Sequence, residues 1–453
     1  MSATNEHLLH PLGELPGAVS AHAHFLPSGA TPAQLIQAAA INHTEWFAAK
    51  ALADGGEVRR TDGVTWTVSP KQATIAFPRL KKAHASRTLD SIVAECYARK
   101  LTSISCMSLS PTSPRDLGGR ISARGFEWGW RPHWMALDLH NLRADFPLPE
   151  GLHIAVDEES DWDVEELPYY QREDAAFLRA LSQADPRRMW HFGAWLDGKI
   201  VGHSILYLTT GSLGVGGIYN VGVCPSARHR GIGRAVSLAA CQFAQALGAH
   251  HALLNSAADS LYKGIGFQSL GYGQTWWMHA ATLAAPPPTP AQIAFVEAIG
   301  TGDIAALDTL GEAALPADLD TPTASGMTLM DLAVRARKPA SAEWLAAHGA
   351  TLNVLHAWDL GWKVRARRLL AESPSLANRR SGPLQTTPLH EAAARGDVRL
   401  ARLLLTADPD LAIQDSEYHS TPLGWATFFQ NAEIVRLIER HQKSRKPANH
   451  PTR

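Results

Sequence analysis

The stretch Ile218-Tyr-Asn-Val-Gly-Val-Cys-Pro-Ser-Ala-Arg228-His-Arg-Gly-Ile-Gly-Arg234 decides the fold of this chain. A short apolar strand runs into Pro225, which has no N–H for a ladder, and the chain turns. Beyond the turn, Ile232, Ala235, Val236, Ala239, Phe243 and Leu247 recur at helical spacing until Gly248 stops the run. Glycines at a strand-to-helix turn leave backbone N–H groups free at the positive end of a helix dipole. Arg228, Arg230 and Arg234 add fixed charge there. That is an anion site suited to a phosphate or pyrophosphate. A Walker loop would need Gly-Lys-Ser/Thr, which is not here. A dinucleotide fingerprint would need a third glycine where Val236 stands and an acidic residue about twenty positions on.

The order Val221-x-Val223-x-Pro225-x-x-Arg228-x-x-Gly231-x-Gly233 resembles the acetyl-CoA signature of the GNAT N-acyltransferase superfamily. Downstream, a second short strand, Ala252-Leu-Leu254, ends in Asn255. Ala258, Leu261, Tyr262 and Gly266-Phe267 then complete the Asn-x-x-Ala-x-x-Leu-Tyr-x-x-x-Gly-Phe pattern common in that superfamily. The resemblance implies a mixed α/β sheet whose neighbouring strands part at a ligand site. It further implies that backbone groups of Val221 and Val223 pair with the pantetheine arm of acetyl-CoA. The amides of His229, Arg230, Gly231, Ile232, Gly233 and Arg234, with Arg228 beside them, would hold the pyrophosphate. Asn255 would bond the pantetheine chain and Tyr262 would protonate the departing sulfur.

Composition is consistent with this reading. The chain has 453 residues, 45% hydrophobic and 19% charged, enough for two to three folded domains. A net charge of −1 gives no global field for nucleic acid or an anionic membrane. Four cysteines without CxxC spacing suit a reducing cytoplasm. No apolar run approaches transmembrane length, and Asn5, Glu6, His7 and His10 lack the order of a signal peptide, so the expectation is a cytoplasmic protein. Of the 21 histidines, His22-x-His24 and His250-His251 are closely spaced, but further ligands at metal spacing are missing and no metal is expected.

The boundary at 284–290 carries four prolines in five residues and reads as a stiff linker. Beyond it, Thr387-Pro-Leu-His-Glu-Ala-Ala-Ala-Arg-Gly-Asp397 is close to the ankyrin signature, and Thr421-Pro-Leu follows 34 residues later. Ala298-x-x-x-Gly302-Asp303, Met327–Ala333 and the Ala357/Gly361 turn are degenerate copies, which makes about five repeats over 291–445. Each is a helix pair that stacks on its neighbours into a short all-α solenoid and offers a surface for a protein partner. Before the linker, Gly125-Phe126 followed by Trp134-Met135 echoes Gly266-Phe267 followed by Trp277-Met278. The expected organisation is a degenerate GNAT-like half at 1–145, with no Arg-x-x-Gly-x-Gly, and a catalytic half at 146–283. Asp197-Gly198 marks a hairpin between Phe192–Leu196 and Lys199–Leu208, and Gln274–Met278 is expected to complete the catalytic half's sheet.

The expected activity is transfer of an acetyl group to an amine of a small molecule or of a protein, without metal. The alternative is a non-catalytic CoA-binding scaffold for the repeats. Many relatives place a Glu on the strand before the pyrophosphate loop, where this chain has Tyr219 and Asn220. His191, His203, Glu45 and Asp157–Glu159 are possible bases that nothing in the sequence ranks, and no base is assigned. Cys224 reads as a small buried side chain rather than a nucleophile.

Overall fold

A computed structural model describes residues 24–256, 259–310, 316–382 and 384–445. The chain divides into two units, Met1–Pro288 and Thr289–Arg453. His22, Asn5, Glu6, His7, His10 and Ala258, singled out above, lie outside the described residues.

In the first unit, helix α1 (Pro32–Ala53) opens with Thr31 at its N-cap, which exchanges hydrogen bonds with Gln34 in a capping box. Strands β1 (Glu57–Thr61), β2 (Val64–Val68) and β3 (Gln72–Ala76) follow, then helix α2 (Lys82–Ala98) and β4 (Ser103–Leu109). After α3 (Leu117–Ser122), β5 (Glu127–Trp128), β6 (His133–Asp138) and β7 (Leu152–Val156), a long irregular segment leads to α4 (Ala175–Ser182). Next come β8 (Met189–Leu196), β9 (Lys199–Leu208), β10 (Gly216–Val223), α5 (Ile232–Ala246), β11 (His251–Ser256), α6 (Asp259–Ile265), β12 (Gln268–Met278) and α7 (Ala280–Ala284). The predicted hairpin is present: Asp197 and Gly198 both have positive φ, 51° and 76°, as a tight two-residue turn between β8 and β9 requires.

The strands form one sheet in the order β1-β2-β3-β4-β12-β6-β11-β10-β9-β8-β7, with β5 also on β12. One expectation is corrected here. Gln274–Met278 does not complete the second half's sheet but pairs with β4 of the first half, Gln274 opposite Ser108 and Met278 opposite Ile104. The place beside β11 is taken by β6, with Leu253 opposite Ala136 and Asn255 opposite Trp134. The exchange is reciprocal. Met135, Leu137 and Leu139 pack into the core around α5, while Trp276 and Met278 pack into the core around α2. Both segments carry an apolar Trp-Met pair, so each fills the other's slot. At the crossing point only Gly273 fits, since a Cβ there would meet the Ser108 carbonyl at 2.5 Å and Trp134 Nε1 at 2.8 Å. Residues 1–145 and 146–283 thus fall within a single unit.

The second unit contains five helix pairs among the described residues: α8 (Pro290–Thr301) with α9 (Ile304–Leu310), α10 (Leu329–Arg335) with α11 (Pro339–Ala347), α12 (Val354–Asp359) with α13 (Lys363–Glu372), α14 (Pro388–Arg395) with α15 (Val398–Leu405), and α16 (Pro422–Phe428) with α17 (Ala432–Arg445). Thr289, Thr328, Asn353, Thr387 and Thr421 stand at the N-caps of the leading helices. Side chains tie each pair to the next. His390 Nε2 donates to the Ser420 carbonyl at 3.0 Å, Trp358 Nε1 to Asp397 at 2.7 Å, and Asn431 Nδ2 to the Ala393 carbonyl at 2.6 Å. One apolar core runs from Val354 to Ile438 through the last three pairs.

A fragment comprising residues 1–288 should fold alone, whereas one ending at Gly271 should not, because it strips β4 of its partner on the β12 side and removes Trp276, 1% exposed, from its core. Thermal melts of the two fragments check this; a cooperative melt from the shorter one would contradict the strand exchange.

Candidate active site: the parting of two parallel strands

β10 and β11 run parallel, yet among the described residues they pair only at Gly216–Ala252 and Gly217–Leu253. Beyond that point they part, and the β10–β9 register slips between Tyr219 and Gly222 through a bulge in which Asn220 has φ 49°. Edge backbone groups of the second stretch of β10 are thereby withdrawn from the sheet on the β11 side. Such groups need a partner from outside it. The first half shows the contrast. Its parallel pair β3–β4 stays in register from Gln72–Ser103 to Ala76–Met107 and opens no cleft.

At the end of β10, Pro225–Ala227 form one 3-10 turn, His229 adopts φ 62°, and Gly231 stands at the N-cap of α5 with φ 83°. Gly231 has no side chain to cap the helix, so the first amides of α5 have neither an intrahelical acceptor nor a side-chain cap. Arg228, His229 and Arg230 are exposed around it. Arg228 Nε lies 3.3 Å from the Val223 carbonyl, and the Arg234 guanidinium sits 5.0 Å from the ring centre of Phe146, with its buried Nε unpartnered among the described residues. A Cβ on Gly233 would face Leu261 and Val223, at 3.4 and 3.5 Å, at the floor of the parting. Charge, free amides and an open strand edge fit a pyrophosphate followed by an extended arm.

Tyr262 on α6 is 6% exposed and packs edge-on to Phe267. Burial pushes its phenol up to about 12, despite hydrogen bonds to Ser237 and Ser256. Ser237 Oγ donates to the Gly233 carbonyl at 2.8 Å, so toward Tyr262 it accepts. The structure thus brings Tyr262 to the same helix end as the glycines. Asn255 is placed differently: its register partner is Trp134, and with Leu253 it belongs to the opposite sheet face. The two serines were not singled out from the sequence; only the spacing of Ser237, four residues after Gly233, was available as a signal.

Each possible base is engaged elsewhere. His203 Nε2 donates to the Pro168 carbonyl at 2.7 Å, its Nδ1 accepts from His191 Nε2 at 3.0 Å, and His191 Nδ1 accepts from Ser160 Oγ at 2.8 Å. Burial lowers His203 to about 4, and burial and His203 hold His191 well below the usual range, so both rings are neutral. Glu45 is paired with Arg188 at 2.9 Å, Glu158 with Arg187 at 2.7 Å and Glu159 with Arg179 at 2.8 Å. Asp157 accepts from the amides of Glu159 and Ser160 and from Trp162 Nε1. Burial raises the Cys224 thiol, which disfavours the thiolate a nucleophile needs.

The face opposite α5 is covered by α1, a contribution the sequence did not reveal. Asn42 Nδ2 donates to the carbonyls of Tyr207 and Val215, at 3.1 Å each, and lies 3.2 Å from Thr209 Oγ1, while its Oδ1 accepts from Tyr219. The approach is that close because β10 has Gly217 there, where a Cβ would collide with Asn42. Beside Asn42, His43 is buried, and burial followed by Lys50 lowers it to about 3. No group of three or more metal-ligating side chains occurs among the described residues, and no described helix is long and apolar enough to cross a membrane.

Residues 151–267 match the acetyltransferase (GNAT) family, and residues 385–416 match the ankyrin repeat. The chain thus carries a GNAT domain, on a mixed α/β sheet, and an ankyrin repeat in its helical region. Among solved structures it is similar to a GCN5-related N-acetyltransferase from Kribbella flavida, 19% identical over 53% of this chain and 95% of that one, with a TM-score of 0.42. A GCN5-related N-acetyltransferase from Sphaerobacter thermophilus is 17% identical over 56% and 97%, TM-score 0.37. A tandem GNAT protein from the clavulanic acid biosynthesis pathway is 13% identical over 55% and 95%, TM-score 0.37. No curated protein matches.

The buried neutral histidines set a pH dependence. Folded-state values of about 3 for His43 and about 4 for His203, with His191 also lowered, lie below the ordinary 6.5. The unfolded chain therefore binds more protons as pH falls through about 6.5, and stability rises with pH across that window. Each histidine contributes up to about 1.4 kcal/mol per pH unit. Denaturant melts should show stability level above pH 7 and falling from about 6.5 toward 5, ahead of the carboxylate range; a flat profile over that interval would show the histidines to be hydrated.

Proposed function

We propose that the first unit is an acetyl-CoA-dependent N-acetyltransferase acting by direct transfer to an amine, and that the repeat unit serves recognition of a protein. The observation that carries the reading is the parting of β10 from β11 opposite the uncapped, Gly231-led start of α5. The amides of His229 through Arg234, with the Arg228, Arg230 and Arg234 side chains, would hold the pyrophosphate, and the β10 edge at Val221 and Val223 would take the pantetheine arm as an added strand. When bound, acetyl-CoA supplies an acetyl thioester. The amine nitrogen attacks its carbonyl carbon, the carbon–sulfur bond breaks, and a proton lost by the amine replaces the acetyl group on sulfur. An N–H of β10 polarises the carbonyl.

Tyr262 acts on the leaving sulfur. With its phenol at about 12, against roughly 8.5 for an ordinary thiol, full proton transfer from it is uphill. Its contribution is a hydrogen bond to the developing thiolate, made by turning its one hydroxyl proton from Ser237 to the sulfur, with the proton that ends on sulfur arriving from the amine through water. The absence of an unengaged carboxylate or imidazole among the candidates above agrees with that route and also favours a second reading, a CoA-binding scaffold without turnover. Acetyl transfer assayed over an amine panel separates the two.

Gly233→Glu should abolish acetyl-CoA binding, since a carboxylate would enter the cradle between Val223 and Leu261. Calorimetry showing wild-type affinity in a folded variant would remove the cofactor assignment. Tyr262→Phe keeps the ring against Phe267 and should lower turnover on the order of 100-fold. Turnover within about twofold of wild type at saturating acetyl-CoA would make Tyr262 structural.

A further inference from the structure

One turn of the irregular segment between β7 and α4 is fastened to the second stretch of β10. In Leu167-Pro168-Tyr169-Tyr170 the last amide donates to the Leu167 carbonyl at 3.3 Å, and Leu167 and Tyr170 are both buried. The Tyr170 hydroxyl donates to the Ser160 carbonyl and accepts from the Trp162 amide, at 2.8 Å each. The Pro168 carbonyl, which accepts from His203 Nε2, lies against β10 at Gly222, 2.3 Å from where a Cβ would stand. The Tyr169 carbonyl accepts from Asn220 Nδ2 at 3.2 Å. Asn220 is in the bulge after which β10 and β11 are parted.

The side chain of Tyr169 is left free by these ties. It is 71% exposed and gains little from packing, yet its φ is 64°. That is the third position of a turn with proline at the second, where a positive φ ordinarily calls for glycine. For a bulky aromatic residue the left-handed region is an outlier. Such strain persists where surrounding contacts over-determine it, and it collects at binding and catalytic sites. Here the Asn220 and His203 bonds are the contacts, and the parting is the site. Tyr169 is held to β10, whereas Tyr262 stands on the helix that follows β11. The Tyr169 phenol is near enough to be one of the groups whose charge raises the Tyr262 phenol. Two phenols thus reach toward one space from the two strands that part.

We propose that Tyr169 is a catalytic residue of the transfer: its phenol oxygen accepts an N–H of the acceptor amine and aims the nitrogen lone pair at the thioester carbon. The proposal rests on the acyltransferase reading and adds the residue that receives the acceptor. Tyr262 serves the departing sulfur and Tyr169 the arriving nitrogen. A phenol oxygen can accept from an amine without taking its proton, which suits a site whose carboxylates and imidazoles are engaged elsewhere. The buried histidine pair then has a task. His191 fixes the direction in which His203 donates, and His203 with Asn220 holds the turn on which Tyr169 stands. Asn220 and His203 are positioning residues.

Calorimetry with acetyl-CoA first tests the acyltransferase reading. Nitration of Tyr169 by tetranitromethane, followed by peptide mass spectrometry against added N-acetyltyrosinamide, then tests this proposal without an acceptor. With acetyl-CoA about tenfold above its Kd, about nine-tenths of the sites are filled, and nitration of Tyr169 should fall severalfold. Tyr169→Phe keeps the ring. It should lower kcat/KM about tenfold for any amine the panel shows to be accepted, as loss of one neutral hydrogen bond implies, while the acetyl-CoA KM holds. Tyr169→Gly relieves the left-handed backbone, so its Tm should hold or rise while transfer falls further. Asn220→Gly tolerates positive φ and releases the turn; it should lower transfer in wild type and add nothing in Tyr169→Gly, which has no side chain left to position. Unchanged nitration of Tyr169 with acetyl-CoA bound, or wild-type transfer in both Tyr169 variants, overturns the proposal. Failure to bind acetyl-CoA counts instead against the acyltransferase reading, and this proposal falls with it.

Discussion

Two parallel strands that pair at two positions and then separate are the constraint on which the first unit is organised. Separation withdraws backbone groups on the second stretch of β10 from the ladder, and those groups must be satisfied by something other than the sheet. The bulge after Tyr219 and the glycines at 217 and 222 make the separation sterically possible. At 222 a Cβ would meet the Pro168 carbonyl at 2.3 Å and His203 Nε2 at 2.8 Å. In the first half β3 and β4 stay paired over five positions, and the cleft does not arise although the same order of elements is present.

Holding the strands apart takes material from both halves. α1 is clamped to β9 and β10 through Asn42, whose side chain meets three donors or acceptors on the strands and the Tyr219 hydroxyl. β6 closes the side beyond β11, and the outer segment of β12 repays the loan by completing the first half's core with Trp276 and Met278. Neither of the two cores is complete without the strand that crosses over to it from the other segment.

Polar groups of this core are spent in two ways. The chain Ser160–His191–His203–Pro168 is saturated from end to end, and its neutrality follows from burial together with a fixed direction of donation. Other buried nitrogens, among them those of His43, Trp134, Trp190 and Trp276, have no partner among the described residues. Buried imidazoles of the same chain thus differ in hydrogen-bond satisfaction, a distinction that residue type alone does not carry.

The β10–turn–α5 segment, the Asp197-Gly198 hairpin, the proline boundary and the repeats around Thr387 were legible because each depends on local chemistry. Proline lacks a donor, glycine accepts positive φ, threonine caps a helix, and apolar residues recur at the period of their element. The glycine-rich turn at the start of α5 and the approach of Tyr262 to it were legible for the same reason, since strand, turn and helix follow one another within fifty residues of chain. What only the tertiary structure decided is everything that joins distant segments. β6 and the end of β12 have interchangeable apolar patterns, so periodicity could not say which lies beside β11. Asn255 was placed by its cross-strand partner, and the carboxylates and histidines open as bases were closed by partners up to 143 positions away in sequence. His43, on a helix of the first half more than 170 positions before Tyr219, has no local signature at all. Its environment comes from the rings packed around it, because packing and hydrogen-bond satisfaction are properties of the assembled core.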